Sequence, residues 1–268
     1  MIKDIFIILA AVFFVFLYIR LLEKRSLYVP FRQIYGTPNT LGLAFDDLFI
    51  NTPDHQTLNA WFIPQEHAKF TILYLHGNGG NLSHRLSQIA LLHELSLNVF
   101  IIDYRGYGKS SGSPSENGLY ADAQAAYDYL TQILKVPNER IILFGESLGS
   151  SVAVYLADKN KVKALILTGA FTSAADMARR LYVFFPTLFL SSKFDSLSKI
   201  GKIDAPKLFI HSRNDEIVPT ELARKLFEAA APYKEFFEIH GGHNDALVTD
   251  REILKKRIHD FIETVVEK

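Results

Sequence analysis

Three residues, met in the order serine, aspartate, histidine, have the types and placing that nucleophilic attack on a carbonyl requires. The serine is Ser147, in Gly145-Glu146-Ser147-Leu148-Gly149, between the apolar run 141–144 and residues 152–157, which read as a helix beginning with small residues. Strand, sharp turn and helix around Gly-x-Ser-x-Gly form the context of a nucleophile elbow. A serine hydroxyl attacks only when a base removes its proton, and an imidazole base needs a carboxylate to fix its tautomer. Asp215 and His243 follow Ser147 in the order such an elbow requires, each just beyond a strand-like run. Glu216 and His240 are the neighbouring alternatives. Glu216 should point away from a side chain one residue before it. Gly241 and Gly242 give His243 the freer loop that a working imidazole uses.

The tetrahedral intermediate of acyl transfer carries charge on oxygen and needs two preplaced N–H donors. Leu148, immediately after the serine, should supply one. The Gly-rich loop His76-Gly77-Asn78-Gly79-Gly80-Asn81 should supply the other, from Asn78 or else Gly79. The same loop lacks the spacing of a dinucleotide fingerprint, and Gly106-Tyr107-Gly108-Lys109-Ser110 lacks the first glycine of a phosphate loop, Asp103 standing there. His240-x-x-His243 is half a metal site with no third ligand cluster, so neither a metal nor a cofactor is expected.

The elements that must position these residues alternate along the chain. Strand character falls at 43–50, Thr57–Ile63, 70–75, Asn98–Ile102, 141–144, Ala164–Thr168, 207–211 and Lys234–Ile239. Helical spacing joins Leu82, Leu86 and Ile89; Leu119, Ala123, Ala126 and Leu130; Leu222 and Leu226; and Leu254, Ile258, Phe261 and Val265. Such alternation implies a mostly parallel sheet covered by helices on both faces, with an antiparallel pair at its N-terminal edge. One long connection, 170–204, breaks the rhythm. Its aromatic stretch suggests a short lid whose residues Phe171, Tyr182, Phe184 and Phe185 shape a substrate pocket.

With 268 residues, 49% of them hydrophobic and 22% charged, the chain can bury a sizeable core. A formal net charge of +0 without a basic block gives no footing for nucleic acid, and the lack of cysteine excludes disulfides and thiol nucleophiles. From Ile5 to Ile19 there is no charge or strongly polar group. Residues 2–22 reach about 30 Å as a helix, enough to cross a bilayer if Lys3 and Arg20 snorkel. No small-x-small cleavage site follows, and the run is apolar on all faces, so an uncleaved anchor is favoured over a signal peptide or a core helix. The expected division is therefore an anchor at 1–25, a linker at 26–42 and a catalytic domain at 43–268. Arg20, Lys24, Arg25 and Arg32 follow the span, a bias toward the cytoplasmic side. A first anchor with so short a leading tail often inserts the other way, and the side stays open.

His76-Gly77-Asn78-Gly79, Asp103-Tyr104-Arg105-Gly106-Tyr107-Gly108-Lys109-Ser110, the elbow, Asp215 with Val218-Pro219, and Gly242-His243-Asn244 together resemble the serine hydrolases of the α/β-hydrolase superfamily. Within it the chain resembles the membrane-tethered α/β-hydrolase-domain proteins related to depalmitoylating thioesterases, over roughly residues 43–266. The resemblance implies an α/β-hydrolase fold with the lid after the sixth strand. It also implies a membrane-anchored enzyme cleaving a carboxylic ester or thioester, its acyl partner lipid-like. Those thioesterases hold membranes through N-terminal cysteines, which this chain lacks. The rival readings are a peptidase or amidase of the same fold and a non-catalytic anchored scaffold.

Overall fold

Buried strands carry the molecule's centre. The computed structural model describes residues 2–181 and 187–266. Eight strands form one sheet: β1 Asp46–Asn51, β2 Thr57–Ile63, β3 Thr71–Leu75, β4 Asn98–Ile102, β5 Ile141–Glu146, β6 Ala164–Thr168, β7 Lys207–Ser212 and β8 Lys234–Ile239. Their spatial order is β1-β2-β4-β3-β5-β6-β7-β8. The pairs β1–β2 and β2–β4 are antiparallel, and every pair from β4 onward is parallel.

The inner strands read as continuous apolar runs because both of their faces are covered, and the pleat sorts alternate residues to opposite sides. Leu73, Leu75, Phe100, Leu143 and Leu165 join one core cluster with Leu119 of α3 (Glu116–Asp128), Val152 and Leu156 of α4 (Leu148–Lys159) and Leu226 of α5 (Thr220–Ala229). Ile72, Tyr74, Ile101, Ile142 and Ile166 join the other with Ile89 and Leu92 of α2 (Leu86–Glu94) and Leu254, Ile258 and Phe261 of α6 (Arg251–Phe261). The side chain of Val265 lies outside the described residues. The first strand starts later than the sequence suggests. Leu43 N–H bonds Pro38 O, and Gly42 at φ 73° closes a turn, so strand pairing begins only at Asp46.

At the N-terminus α1, Ile2–Leu27, is a helix of 26 residues, about 39 Å long. Phe6, Ile8, Phe13 and Phe14 along it are at least 60% exposed. Length and composition suffice to cross a membrane. The stretch expected to be a linker, 26–42, is instead strapped onto the domain. Val29 and Pro30 run parallel to Gly79 and Gly80, with Val29 N–H bonding Asn78 O (3.0 Å) and Phe31 N–H bonding Gly80 O (3.0 Å). Asn81 Nδ2 donates to the carbonyls of Phe31 (3.1 Å) and Gln33 (2.7 Å). The turn-forming residues that look like a linker follow this strap, and the unpaired backbone of the Gly-rich loop recruits it.

Candidate active site

Adjacent strands β3 and β5 bring the Gly-rich loop and the elbow together at the carboxyl end of the sheet, where the strand order reverses. Open α/β sheets place their sites at such points. Ser147 has φ 51° and ψ −116°, a conformation that side-chain-bearing residues rarely adopt, held by its N–H bond to Thr168 O (2.8 Å). The flanking glycines make the bend possible by close approach. A Cβ on Gly145 would lie 2.6 Å from Ser150 Cα, and one on Gly149 would lie 1.9 Å from Leu75 O. Glycine is required at both positions.

His243 reaches this serine from the loop after β8. Its Nε2 lies 2.9 Å from Ser147 Oγ and its Nδ1 2.7 Å from Asp215 Oδ2. With a carboxylate beside Nδ1, that nitrogen carries the proton and Nε2 faces the serine as acceptor. The other oxygen of Asp215 accepts from Ile217 N–H (2.9 Å) and Val218 N–H (2.7 Å). Burial works against charge on Asp215, but the His243 bond and these backbone donors outweigh it and hold the carboxyl below its usual value. Glu216 points the other way, its carboxylate accepting from His243 N–H (2.9 Å). His240 turns outward to Asp250 (3.0 Å).

Leu148 is the first residue of α4, so its N–H is among the helix donors without an intrahelical acceptor, at the positive end of the dipole. Asn78 and Gly79 line a cleft of about 350 Å³ that also touches Ser147, His243 and Asn244. Around the loop, Tyr107 Oη donates to Asn78 O (2.8 Å), Asn78 Nδ2 to Ser26 O (3.2 Å) and Arg85 Nη2 to Gly79 O (2.9 Å). Glu146, beside the serine, receives Tyr74 Oη and pairs with Arg85 Nε (3.0 Å). The cluster ties the loop after β3 to the elbow after β5.

Known proteins with this architecture are numerous. A family model described as the α/β hydrolase fold matches residues 71–194. The α/β-hydrolase domain-containing protein WAV2 of Arabidopsis thaliana is 36% identical over 269 residues, covering 90% of this chain and 87% of its own. The chain belongs to the α/β-hydrolase family. Protein bem46 of Schizosaccharomyces pombe is 36% identical over 234 residues, 82% of this hydrolase and 77% of its own length. A membrane protein of Saccharomyces cerevisiae is 34% identical over 228 residues, 82% and 80% of the two chains. Among solved structures, an esterase of Pyrococcus furiosus superposes with a TM-score of 0.75 at 24% identity, covering 88% of this chain and 98% of that one. That likeness concerns the fold.

The hydrolase places other expected residues differently. Phe171, anticipated on the substrate pocket, is 5% exposed within the main core and does not line the cleft at Ser147. Tyr182, Phe184 and Phe185 lie outside the described residues. The cleft wall is instead polar over His84, Arg85, Gln88, Glu146 and Asn244, with Val29 and Phe31 as its apolar side chains among the described residues. His84 reads in the sequence as a surface or helix-edge histidine. Its place beside Arg85 and four residues before Gln88, between the apolar positions Leu82, Leu86 and Ile89, was the available clue: a polar stripe at helical spacing.

Two more residues support the imidazole without any motif to mark them. Gly169, at φ 57°, would put a Cβ 3.1 Å from His243 Cε1. Gly169→Ala is expected to lower kcat about tenfold by pushing the ring a few tenths of an ångström, since misplacement by about 1 Å costs roughly a hundredfold. Steady-state kinetics on any turned-over ester checks this.

His211 is the second support. It is buried, its Nε2 donates to Val218 O (3.0 Å), and it lies 3.9 Å from Asp215 Oδ2. Burial pushes this imidazole below its usual value, against the pull of the Asp215 carboxylate. Unfolded histidine binds its proton near pH 6.5, while folded His211 binds it only at lower pH. The contribution to stability is therefore complete above about pH 6.5 and is lost as pH falls from there toward the folded value. Thermal melts should find the Tm gap between wild type and His211→Asn narrowing from pH 7.5 to pH 5.

Proposed function

We propose that this chain is a membrane-anchored serine hydrolase that cleaves a carboxylic ester or thioester through an acyl-enzyme. The observation that carries the reading is the unbroken chain Ser147 Oγ–His243 Nε2 (2.9 Å) and His243 Nδ1–Asp215 Oδ2 (2.7 Å), set against a helix N-terminus. Ser147 attacks the acyl carbonyl as His243 Nε2 takes its proton. Asp215 holds the imidazolium that forms, and the N–H groups of Leu148 and Asn78, with Gly79 beside them, receive the oxyanion. His243 returns the proton to the leaving alcohol or thiol. A water then enters by the same route and releases the acid. No step calls on a cofactor. The polar wall of His84, Arg85 and Gln88 suits the alcohol or thiol half of the substrate.

The anchor in this reading is α1, with a long apolar face exposed along its length. The likeness to a yeast membrane protein supports it. A fluorophosphonate probe tests the chemistry. Labelling of the wild type but not of Ser147→Ala is the expected result. Folded wild-type protein that stays unlabelled would remove the activated serine and leave an anchored scaffold. Ester, thioester and amide substrates of graded acyl length, offered to the same samples, separate the hydrolase from an amidase.

A further inference from the structure

Residues 187–192 of the long connection sit against α1, while Phe194, Ile200 and Ile203 beyond them enter the main core. The carboxylate of Glu23, in the last turns of α1, is buried and accepts from Ser191 N–H (3.0 Å), Ser191 Oγ–H (2.8 Å) and Ser192 N–H (2.6 Å). Tyr28 continues the contact, its ring 6.4 Å from Phe194. Farther back along the helix, the Phe16 ring packs edge-on against Phe189 at 6.1 Å. Phe189 belongs to the short turn Thr187–Phe189, whose Leu188 is 89% exposed, the most exposed large apolar side chain among those described.

These contacts fix a depth. Phe16 precedes Glu23 by seven residues, about 10 Å along a helix axis. With Arg20 snorkelling outward, the polar latch at Glu23 lies where the span 2–22 ends and Lys24 and Arg25 begin. The turn beside Phe16 is therefore about 10 Å on the hydrocarbon side of that boundary. A leucine left bare there is unfavourable in water and favourable among acyl chains. Bonds to Glu23 satisfy the backbone of Ser191 and Ser192 at the depth where the chain leaves the apolar zone, as a lipid environment demands.

We propose that the turn Thr187–Phe189 is a second membrane-inserted element, entering the same leaflet beside α1 with lipid acyl chains covering Leu188. The proposal rests on the reading of α1 as a membrane anchor. It has a consequence for the substrate. Val29 and Phe31, half exposed on the wall of the Ser147 cleft, follow the end of α1 by two and four residues. The cleft mouth thus stands within roughly 15 Å of the bilayer surface at extended-chain spacing. A substrate drawn from the leaflet meets Ser147 without crossing bulk water.

The absence of cysteine makes single-site labelling clean. Full-length Leu188→Cys, Phe13→Cys and Tyr233→Cys proteins would each be labelled with an environment-sensitive nitrobenzoxadiazole and reconstituted into phosphatidylcholine vesicles carrying acyl-chain nitroxides. Tyr233 is 75% exposed just before β8, at the end of the sheet opposite the site, and reports water. Phe13, 60% exposed on α1, reports the anchor. The expected result is strong quenching and a blue shift at Leu188 and Phe13, and neither at Tyr233. Quenching at Phe13 with a water-like Leu188 label would overturn the inserted turn and leave the anchor standing. An unquenched Phe13 label would overturn the anchor and this inference with it. As a second readout, Leu188→Asp should lower turnover of a vesicle-borne long-chain ester about tenfold while leaving a short soluble ester unaffected. Equal loss on both, or on neither, counts against the proposal.

Discussion

Ser147→Ala is expected to lower kcat by about a million-fold, leaving roughly a thousandfold above the uncatalysed rate from the oxyanion donors and binding alone. The size follows from what the hydroxyl does in this arrangement. Its oxygen stands 2.9 Å from the imidazole nitrogen that would take its proton. No other side-chain hydroxyl is hydrogen-bonded to His243 among the described residues. Ser150, the nearest candidate along the helix, spends its hydroxyl on Ser147 O (2.6 Å). Alanine keeps the backbone conformation and its strain, so the variant should fold. Glycine at the same position removes both the nucleophile and the strain of φ 51°. Relief of about 1–3 kcal/mol should raise Tm by several degrees. Kinetics and melting of the two variants together separate chemistry from folding. A Ser147→Ala protein with near wild-type kcat would rule out the elbow as the nucleophile's seat.

Asp215→Asn is expected to lower kcat about ten-thousand-fold with little change in KM, and here the structure supplies the reason. One carboxylate oxygen accepts two backbone N–H groups, from Ile217 and Val218, and the other faces His243 Nδ1. An asparagine at this position must turn its carbonyl oxygen to the two backbone donors, because its NH2 has nothing to accept it there. The NH2 then faces His243 Nδ1 and makes that nitrogen the acceptor. The proton moves to Nε2, the nitrogen that has to receive one from Ser147. The triad keeps its shape and loses its base. Glu216→Gln, by contrast, still accepts from His243 N–H through its amide oxygen and should cost under tenfold. If Glu216→Gln were the more damaging of the two, the orienting role would belong to Glu216.

Local chemistry makes much of this legible in the sequence alone. Strand runs such as 141–144 and the Gly-x-Ser-x-Gly that follows are written in neighbouring residues. Continuous apolar stretches must be buried on both faces, and glycines must flank a bend whose backbones pass within van der Waals contact. The alternating elements, the parallel sheet with an antiparallel edge and the apolar N-terminal helix all follow from such short-range rules. So does the chain order of Ser147, Asp215 and His243.

What those rules do not reach is any choice made across long separations. Asp215 and Glu216 are adjacent carboxylates that the sequence separates only by expecting them to point apart, with Asp215 preferred. Only the packing of the loop after β7 against that after β8 turns Asp215 to the ring of His243 and Glu216 to its backbone. Gly169 and His211 carry no motif, because their roles are to leave room and to fill a buried space beside residues far away in the chain. The expected linker 26–42 is strapped down at Val29–Phe31 only because the exposed edge of the Gly-rich loop supplies hydrogen-bond partners there. Phe171 has the apolar character of a pocket residue and is drawn into the core instead, since hydrophobicity states that a side chain leaves water but not which interior it enters. Composition and spacing therefore determined the class of fold and the chemistry the chain is equipped for. Tertiary packing decided which residues meet at Ser147, because contacts between distant segments depend on how whole elements dock and leave no trace in local spacing.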